Sequence, residues 1–531
     1  MPRQRLRGAV NKSNGRTTNS HEGTARLAAH SGGMVTLLTE HHRRRLAPGE
    51  ALTRLPVPSS IVSNGEFTPP RRSETLRRYE ALLLERAAEA TGGAEERASW
   101  LASPIGMANA FAALNTVFDT HFDVADGEAE DADAAETARS ALQDQFVFDD
   151  QVHFLRDDAD PELFEPLTGL IELSAELLGL PHAGRFDIEQ IKFAHFIKAI
   201  YLDSDTKVAL LSGAPSEGVA MLTNDQMAAA RAAVNAVVGE RRLLTHAVLG
   251  PRQDGWLDEV DRVHAELKPD GWKGYTVGEP FSPSQKRYRL DDEALMYPFY
   301  ERMVKAGVRN LCIHKGLLPA DADVVMPGAE PFAKVDDVGR AARDWPQLNF
   351  VIYHAGYRTI PQPTLAELER FEADGRIDWV SDLAAIPDQW GVNNVYADIG
   401  ASFAFTVLTH PRLAAAMIGM LLKGLGQDKV LWGTDSVWYG SPQWQIEALR
   451  RLRMPEDLVE RFGYADLGPG DGPVKRAILG GNAAPLYGVD PADYRKAGVR
   501  ASLLDGIVAE YRARGGLPDN AVHGYAEPGD G

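Results

Sequence analysis

Residues 310–314 read NLCIH and residues 349–354 read NFVIYH, and each run is a short apolar segment that ends in a histidine. Short runs rich in Val, Ile and Leu that alternate with longer helical patterns are typical of parallel sheets built from βα units. The two stretches therefore predict neighbouring strands, each with a polar side chain at its carboxyl end.

Six further runs of this kind occur from residue 146 onward. They are Phe146–Phe154, Lys207–Ser212, Leu243–Leu249, Trp272–Val277, Val395–Ile399 and Lys429–Thr434. Helical patterns separate most of the runs: Asp225–Val238, Leu257–Leu267, Asp292–Ala306, Val335–Asp344, Thr364–Ala373 and Ala401–Leu422. This order predicts an α/β fold, a closed TIM (β/α)8 barrel. An open doubly wound sheet is the alternative, but residues 154–157, FLRD, are not the Gly-rich loop expected after its first strand.

The rest of the chain predicts three other regions. Residues 1–65 are rich in Arg, Ser, Thr, Gly and His and show little periodicity, which predicts a disordered or loosely attached basic segment. Residues 66–145 combine helical periodicity with an acidic, alanine-rich stretch, and they predict a helical N-terminal extension with an acidic linker. The barrel is expected over 146–490, and a C-terminal helix and tail over 491–531.

The composition of the chain limits the classes of molecule that it is expected to bind. The formal net charge of -19 argues against non-specific binding to nucleic acid or to an anionic membrane. No run is long and apolar enough for a membrane-spanning helix, and no secretory signal opens the chain, so a cytoplasmic protein is expected. A small-molecule substrate is the expected partner, and assembly into a homo-oligomer is left open.

Metal-binding side chains recur at the ends of the predicted strands. His153, His314 and His354 end strands one, five and six, and Asp435 follows strand eight. The carboxyl ends of barrel strands meet at one mouth, where active sites are built. Imidazoles and carboxylates are ligands for a divalent ion of the zinc, iron or manganese type, which can lower the pKa of a bound water from about 15.7 to about 7.

Five motifs carry a resemblance to a known family. They are Phe148-Asp149-Asp150-Gln151-Val152-His153, Ile313-His314-Lys315-Gly316, Tyr353-His354-Ala355-Gly356, Trp432-Gly433-Thr434-Asp435 and Ile478–Ala484. Together they resemble the amidohydrolase superfamily, in particular the amidohydrolase-related branch, which contains hydrolases and also decarboxylases of the aminocarboxymuconate-semialdehyde type and hydratases. The resemblance spans roughly Phe146 to Gly488.

The resemblance implies specific roles. His153, His314 and Asp435 would bind one divalent metal, with zinc the first candidate and iron or manganese the alternatives. Asp435 would also contact the activated water. His354 would act as a catalytic base or electrophile, or as a ligand in two-metal members. Where the family usually has His-x-His, this chain has Gln151 before His153, so Gln151 is at best a weaker neutral ligand.

Four further residues are candidates for substrate contacts. Lys273 lies on the fourth predicted strand, where two-metal relatives carry a bridging lysine, but it is early on that strand, which favours a structural or substrate-contacting role. His246 on the third strand is expected to line the same mouth. Lys315 and Arg358 are placed to hold a carboxylate, since arginine forms bidentate pairs with such groups.

These features predict a metal-dependent hydrolase that acts on a small organic acid, amide or ester through a metal-activated water. The first alternative is a non-hydrolytic lyase, a decarboxylase or hydratase, on the same scaffold. The second is a catalytically altered binding protein, which the glutamine at position 151 motivates.

Overall fold

The computed structural model describes residues 54–63, 67–159, 175–176, 187–215, 221–278, 286–494, 503–513, 516 and 520. Most of the predicted basic segment 1–65 and the last residues of the predicted tail lie outside this description. Residues 54–63 belong to that segment and are described, and Val57, Ile61 and Val62 within them are buried.

Eight parallel strands form the centre of the fold, as the sequence predicted. They are β1 (Phe148–Val152), β2 (Val208–Leu211), β3 (Leu243–Val248), β4 (Gly271–Tyr275), β5 (Asn310–His314), β7 (Asn349–Tyr353), β9 (Val395–Asp398) and β10 (Val430–Leu431), hydrogen-bonded in this order. Backbone bonds from Asp150 N to Trp432 O and from Asp435 N to Gln151 O, both 2.9 Å, join the last strand to the first. The sheet is therefore a TIM barrel.

Two short strands, β6 (Leu318–Pro319) and β8 (Thr359–Ile360), form a separate parallel pair after β5 and β7. This pair was not predicted from the sequence. Both members are only two residues long. A pair this short leaves almost no periodicity in the sequence.

The helices fall into an N-terminal group, a barrel group and a C-terminal helix. The N-terminal group is α1 (Glu74–Ala90), α2 (Ala94–Leu101), α3 (Pro104–Phe118) and α4 (Ala132–Leu142). The barrel group is α5 (Phe193–Ile197), α6 (Asn224–Val238), α7 (Trp256–Glu266), α8 (Tyr297–Ala306), α9 (Ala322–Val325), α10 (Glu330–Ala333), α11 (Val338–Asp344), α12 (Leu365–Asp374), α13 (Val380–Ala384), α14 (Ile386–Trp390), α15 (Ser402–Thr409), α16 (Pro411–Gly424), α17 (Gln443–Arg451), α18 (Glu456–Phe462), α19 (Pro473–Arg476) and α20 (Ala483–Leu486). The C-terminal helix is α21 (Leu503–Ala513).

One predicted helix is broken in two by a proline. The pattern over Ala401–Leu422 forms α15 and α16, which are separated at His410, where the backbone leaves the helical region with φ -146° and ψ 68°. Pro411 begins the second helix. A proline disfavours helical backbone in the residue before it and cannot donate a backbone hydrogen bond, so it favours a new helix start over continuation.

The N-terminal helices are packed against the barrel rather than separate from it. Arg451 in α17 donates to Glu128 Oε2 at 3.0 Å, and its carbonyl accepts from Asp123 N at 2.7 Å. Arg450 in the same helix donates to Leu142 O at 3.0 Å. These charged and backbone bonds hold the extension on α17.

The amino-terminal mouth of the barrel is filled by the end of α20 and by Tyr487, which follows it. The Tyr487 ring lies 5.4 Å from the Phe148 ring, and its hydroxyl is 3.4 Å from Cys312 Sγ inside the barrel. Asn310 donates its side-chain amide to Leu486 O at 2.8 Å. These contacts close the amino-terminal mouth of the barrel.

Within the described part of the chain, no single helix has both the length and the apolar composition needed to cross a membrane. Helices α2 and α3, which are bent by 76° relative to each other, meet these criteria only as a pair.

Candidate active site

Four of the predicted site residues meet at the carboxyl mouth of the barrel. His153 Nε2 lies 2.9 Å from Asp435 Oδ1, and His354 Nε2 lies 3.0 Å from His314 Nδ1. His354 Nδ1 is 4.0 Å from Asp435 Oδ2, so the two pairs adjoin. All four side chains are buried. Residues at or just past the carboxyl ends of four different strands thus form one continuous polar cluster.

Backbone carbonyls determine the tautomers of two histidines. His153 Nδ1 lies 2.8 Å from Ser212 O, and His354 Nδ1 lies 2.9 Å from Gly400 O. A carbonyl can only accept, so both Nδ1 atoms carry a proton. When the imidazoles are neutral, both Nε2 atoms therefore present a lone pair. His314 must then donate from Nδ1 to His354, which leaves the lone pair of His314 on Nε2.

Burial keeps the imidazoles of His314 and His354 neutral. It lowers the pKa of His314 to about 3, with a further contribution from the nearby Lys273 ammonium. Burial also holds the pKa of His354 well below its usual range, helped by its contact with His314. Neutral imidazole is the form that binds metals or accepts protons.

His354 and Asp435 also share an unusual backbone conformation. Their φ angles are 62° and 61°, in the left-handed region that residues other than glycine rarely adopt, and Ala355 follows with φ 52°. Such a conformation costs about 1–3 kcal/mol per residue and persists where the surroundings impose it. Here His354 N donates to Asp398 Oδ1 at 3.3 Å, while Asp435 N donates to Gln151 O at 2.9 Å. Strain of this kind is concentrated at functional sites.

The donor chemistry fits a divalent metal, although the donors are not closed around a common centre. Among the described residues, no group of three His, Cys, Asp or Glu side chains is arranged to hold a metal ion. In their neutral forms His153 and His314 nevertheless present Nε2 lone pairs, and Asp435 presents a carboxylate. A carbonyl that holds the other ring nitrogen, as Ser212 O does for His153, is the usual support of a metal-bound histidine.

Gln151 is buried beside this cluster. Its Oε1 has no hydrogen-bond partner among the described residues. A Cβ on Gly400 would lie 2.4 Å from Oε1, and a Cβ on Gly433 would lie 2.9 Å from the Gln151 Cβ. Both glycines are therefore needed to leave room for this side chain. An unpartnered buried oxygen is costly unless it has a ligand, which accords with a metal-facing role.

From the sequence, Asp398 was a polar candidate without a specific role and Asp149 was assigned none, yet each holds part of the site. Asp398 ends β9, and its Oδ1 accepts from the backbone N–H groups of His354 and of Gly400, the latter at 3.0 Å. Asp149 Oδ1 accepts from Thr434 N at 3.0 Å, just before Asp435. Burial raises the pKa of Asp398 to about 6 and that of Asp149 to about 8. The position of Asp398 at a strand end was the only signal for it in the sequence.

Asp150 forms a second buried carboxyl beside Asp398. Burial and repulsion from Asp398 hold its pKa well above its usual range. Neither Asp150 oxygen accepts a hydrogen bond from an N–H or hydroxyl donor among the described residues. The repulsion between the two buried carboxyls thus favours the protonated form of Asp150.

Lys273 and His246 lie inside the barrel. Lys273 Nζ is 3.5 Å from the centre of the Tyr353 ring and has no hydrogen-bond partner among the described residues. Burial lowers its pKa to about 8, against the opposing attraction of Asp435. Both ring nitrogens of His246 likewise have no described partner. Tyr275, which also contacts Lys273, stacks on His314 at 4.9 Å and links this interior group to the metal-binding candidates.

The other two residues predicted to contact substrate have partners of their own. Lys315 Nζ is 2.8 Å from Asp337 Oδ1 and donates to Phe332 O at 2.9 Å, and it is fully buried. Arg358 donates to Thr359 Oγ1 at 2.9 Å and lies 5.7 Å from the Trp379 ring. These contacts do not include any member of the polar cluster.

Comparison with solved structures finds barrels of low sequence identity. An uncharacterized TIM-barrel protein from Bordetella bronchiseptica is 14% identical over 64% of this chain and 98% of its own, with a TM-score of 0.40. A 5-carboxyvanillate decarboxylase from Sphingomonas paucimobilis is 15% identical over 65% of this chain and 100% of its own, with a TM-score of 0.39. Scores this low carry no inference about activity. The chain matches none of the curated protein sequences at a significant level.

The family comparison is more informative. The amidohydrolase family profile matches residues 204–489, just over half of the 531-residue chain. The match includes His314, His354 and Asp435 and begins after the first strand. Members of this family are metal-dependent enzymes. The chain belongs to the amidohydrolase family.

Proposed function

We propose that this enzyme is a metal-dependent hydrolase that acts on a small organic acid, amide or ester. The observation that carries the proposal is the contact of 2.9 Å between His153 Nε2 and Asp435 Oδ1, with His153 Nδ1 held by Ser212 O. A neutral imidazole and a carboxylate would repel each other at this distance, because both atoms present lone pairs. A proton or a cation between them removes that repulsion.

Each residue has a distinct role in the proposal. His153, His314 and Asp435 would hold the metal, with Gln151 and His354 as further donors. Zinc is the first candidate, and iron or manganese are the alternatives, because imidazole and carboxylate suit all three. When bound, the ion would supply a water whose pKa is lowered from about 15.7 to about 7 and would polarise a substrate carbonyl.

Proton transfer falls to the protein side chains. Asp435 accepts the proton of the attacking water, and its Oδ2 faces His354 at 4.0 Å. His354 keeps its own proton on Nδ1 through Gly400 O, so Nε2 takes up or returns a proton once the bond that it accepts from His314 Nδ1 is released. Lys273 and His246, whose side-chain nitrogens lack a hydrogen-bond partner in the described part of the chain, are the proposed substrate-side groups.

A second candidate is decarboxylation or hydration at the same site, and one observation favours it. Lys273 is a buried ammonium that acts electrostatically on Asp435. A desolvated cation of this kind would stabilise negative charge left on a substrate when carbon dioxide departs. A panel of aromatic and enoic acids, amides and esters separates the two reactions. Release of carbon dioxide without hydrolysis would favour the lyase.

Metal content tests the proposed ligands directly. His314→Ala and Asp435→Ala would be purified beside the unmodified enzyme and analysed for zinc, iron and manganese. Asp388→Ala, at an exposed position in α14, is the control. We expect both site variants to remain folded and lose metal, while the control retains it. Full metal content in both site variants would refute the assignment.

A further inference from the structure

The segment before α1 links the N-terminal extension to the active-site loops. We call residues 54–63 and 67–72 the N-terminal strap. At its first part, Tyr79 in α1 donates to Val57 O at 2.8 Å, and Ser59 donates to Glu80 Oε2 at 2.6 Å. The strap is therefore attached to the first helix of the extension.

The second part of the strap ends in an aromatic contact. The Phe67 ring, which is 3% exposed, lies 5.6 Å from Phe405 in an edge-on arrangement. It also lies 6.4 Å from Tyr439 in a stacked arrangement. Phe405 and Tyr439 are 4.9 Å apart, so each of the three rings contacts the other two. Burial of three such rings in mutual contact is energetically substantial.

Both partners of Phe67 belong to segments that hold the site. Phe405 lies in α15, which begins two residues after Gly400, whose carbonyl accepts from His354. Tyr439 lies four residues after Asp435, and the turn between them is closed by a bond of 3.0 Å from Trp438 N to Asp435 O. Phe67 thus packs between the segment that orients His354 and the loop that carries Asp435.

We propose that Phe67 is a positioning residue, through which the N-terminal extension sets the placement of the Asp435–Tyr439 loop relative to the His354 segment. Phe67 acts on the polar cluster through its ring contacts with Phe405 and Tyr439. Its catalytic consequence rests on the proposed function, whereas its effect on the loop does not. The extension is then part of the catalytic unit and not an accessory.

Hydrogen–deuterium exchange of the full-length protein tests whether Phe67 positions the Asp435–Tyr439 loop. Phe67→Ala is compared with Phe111→Ala, which removes an equally buried ring in α3 that contacts Phe122 at 5.0 Å. We expect exchange in peptides covering residues 435–441 to accelerate roughly tenfold in Phe67→Ala and to stay unchanged in Phe111→Ala. If Phe67→Ala does not fold, Phe67→Leu is compared in the same way.

Unchanged exchange in the Phe67 variant, or equal acceleration in both variants, would overturn the inference. Once a substrate is found, we expect kcat of the Phe67 variant to fall by a larger factor than KM rises. The reason is that the substitution displaces the loop, whereas it removes no side chain from the substrate pocket. Exchange is read on the protein itself. If no metal-dependent hydrolysis is found, the proposed function is contradicted. The exchange result still decides whether Phe67 positions the loop.

Discussion

Replacing Lys315 with methionine should destabilise the fold rather than weaken substrate binding. Lys315 Nζ lies 2.8 Å from Asp337 Oδ1, and the two side chains are 0% and 1% exposed. Methionine keeps the apolar stem but removes the ammonium. Asp337 would then stay buried with one remaining donor, Leu290 N at 2.9 Å. Removing one partner of a buried ion pair costs about 3–5 kcal/mol, so we expect a loss of this size in the free energy of unfolding.

Urea unfolding of three variants measures this loss. Lys315→Met and Asp337→Leu should each be destabilised, and the double variant should recover much of the loss, because it leaves no unpaired buried charge. A change below about 1 kcal/mol in Lys315→Met, together with a raised KM for a carboxylate substrate, would refute the structural interpretation. That result would support the substrate-binding role predicted from the sequence.

Three further predictions concern a pH dependence, a close contact and the metal. Burial lowers the pKa of Lys475 from 10.5 to about 8, so the unfolded state binds more protons between these values and stability rises with pH there. The expected rise in the free energy of unfolding is about 3 kcal/mol between pH 7.5 and pH 10.5, and Lys475→Met should abolish it. A rise that persists in this variant would contradict the lowered pKa of Lys475. In Gly433→Ala the new Cβ would lie 2.1 Å from Asp398 Oδ2, and we expect this clash to lower the free energy of unfolding by about 1–3 kcal/mol. The control is Gly506→Ala in helix α21, where a Cβ would meet no other atom, and we expect it to raise the free energy of unfolding by about 0.5–1 kcal/mol. Equal effects of the two substitutions on the urea midpoint would refute the contact. Gln151→His should tighten metal binding by about tenfold or more in calorimetric titration, and an unchanged Kd would exclude position 151 as a ligand.

The predicted strands agree with the structure because burial leaves a local signature. All eight apolar runs overlap a barrel strand, and differences are confined to the ends. For example, β4 begins at Gly271, one residue before the predicted run, and β10 is Val430–Leu431 within the predicted run Lys429–Thr434. Past Leu431 the backbone still bonds to β1 through Trp432 O, but the chain then turns at Asp435, where φ is 61°. Apolar periodicity cannot indicate such a turn, since it is imposed by contacts between the first and last strands.

The sequence predicted which residue types line the site, but not which side chains pair with each other. A polar side chain at the end of a buried parallel strand is informative because all such ends meet at one mouth, and that reasoning selected His153, His314, His354 and Asp435. The same reasoning could not separate them from Lys315, which follows β5 directly but is paired with Asp337. The assignment of these residues as metal ligands stays a prediction until the metal analysis is done.

The sequence by itself determined the order of the eight barrel strands and of most helices between them, the acidic character of the chain and the residue types available at the carboxyl mouth. These properties depend on periodicity and composition, which are local. Only the tertiary structure decided which nitrogen of each histidine is protonated, which carboxyls lose contact with water, and that Phe67 packs against Tyr439. Those properties depend on pairs of groups far apart along the chain. Their contact arises when the barrel closes, and no local pattern encodes it.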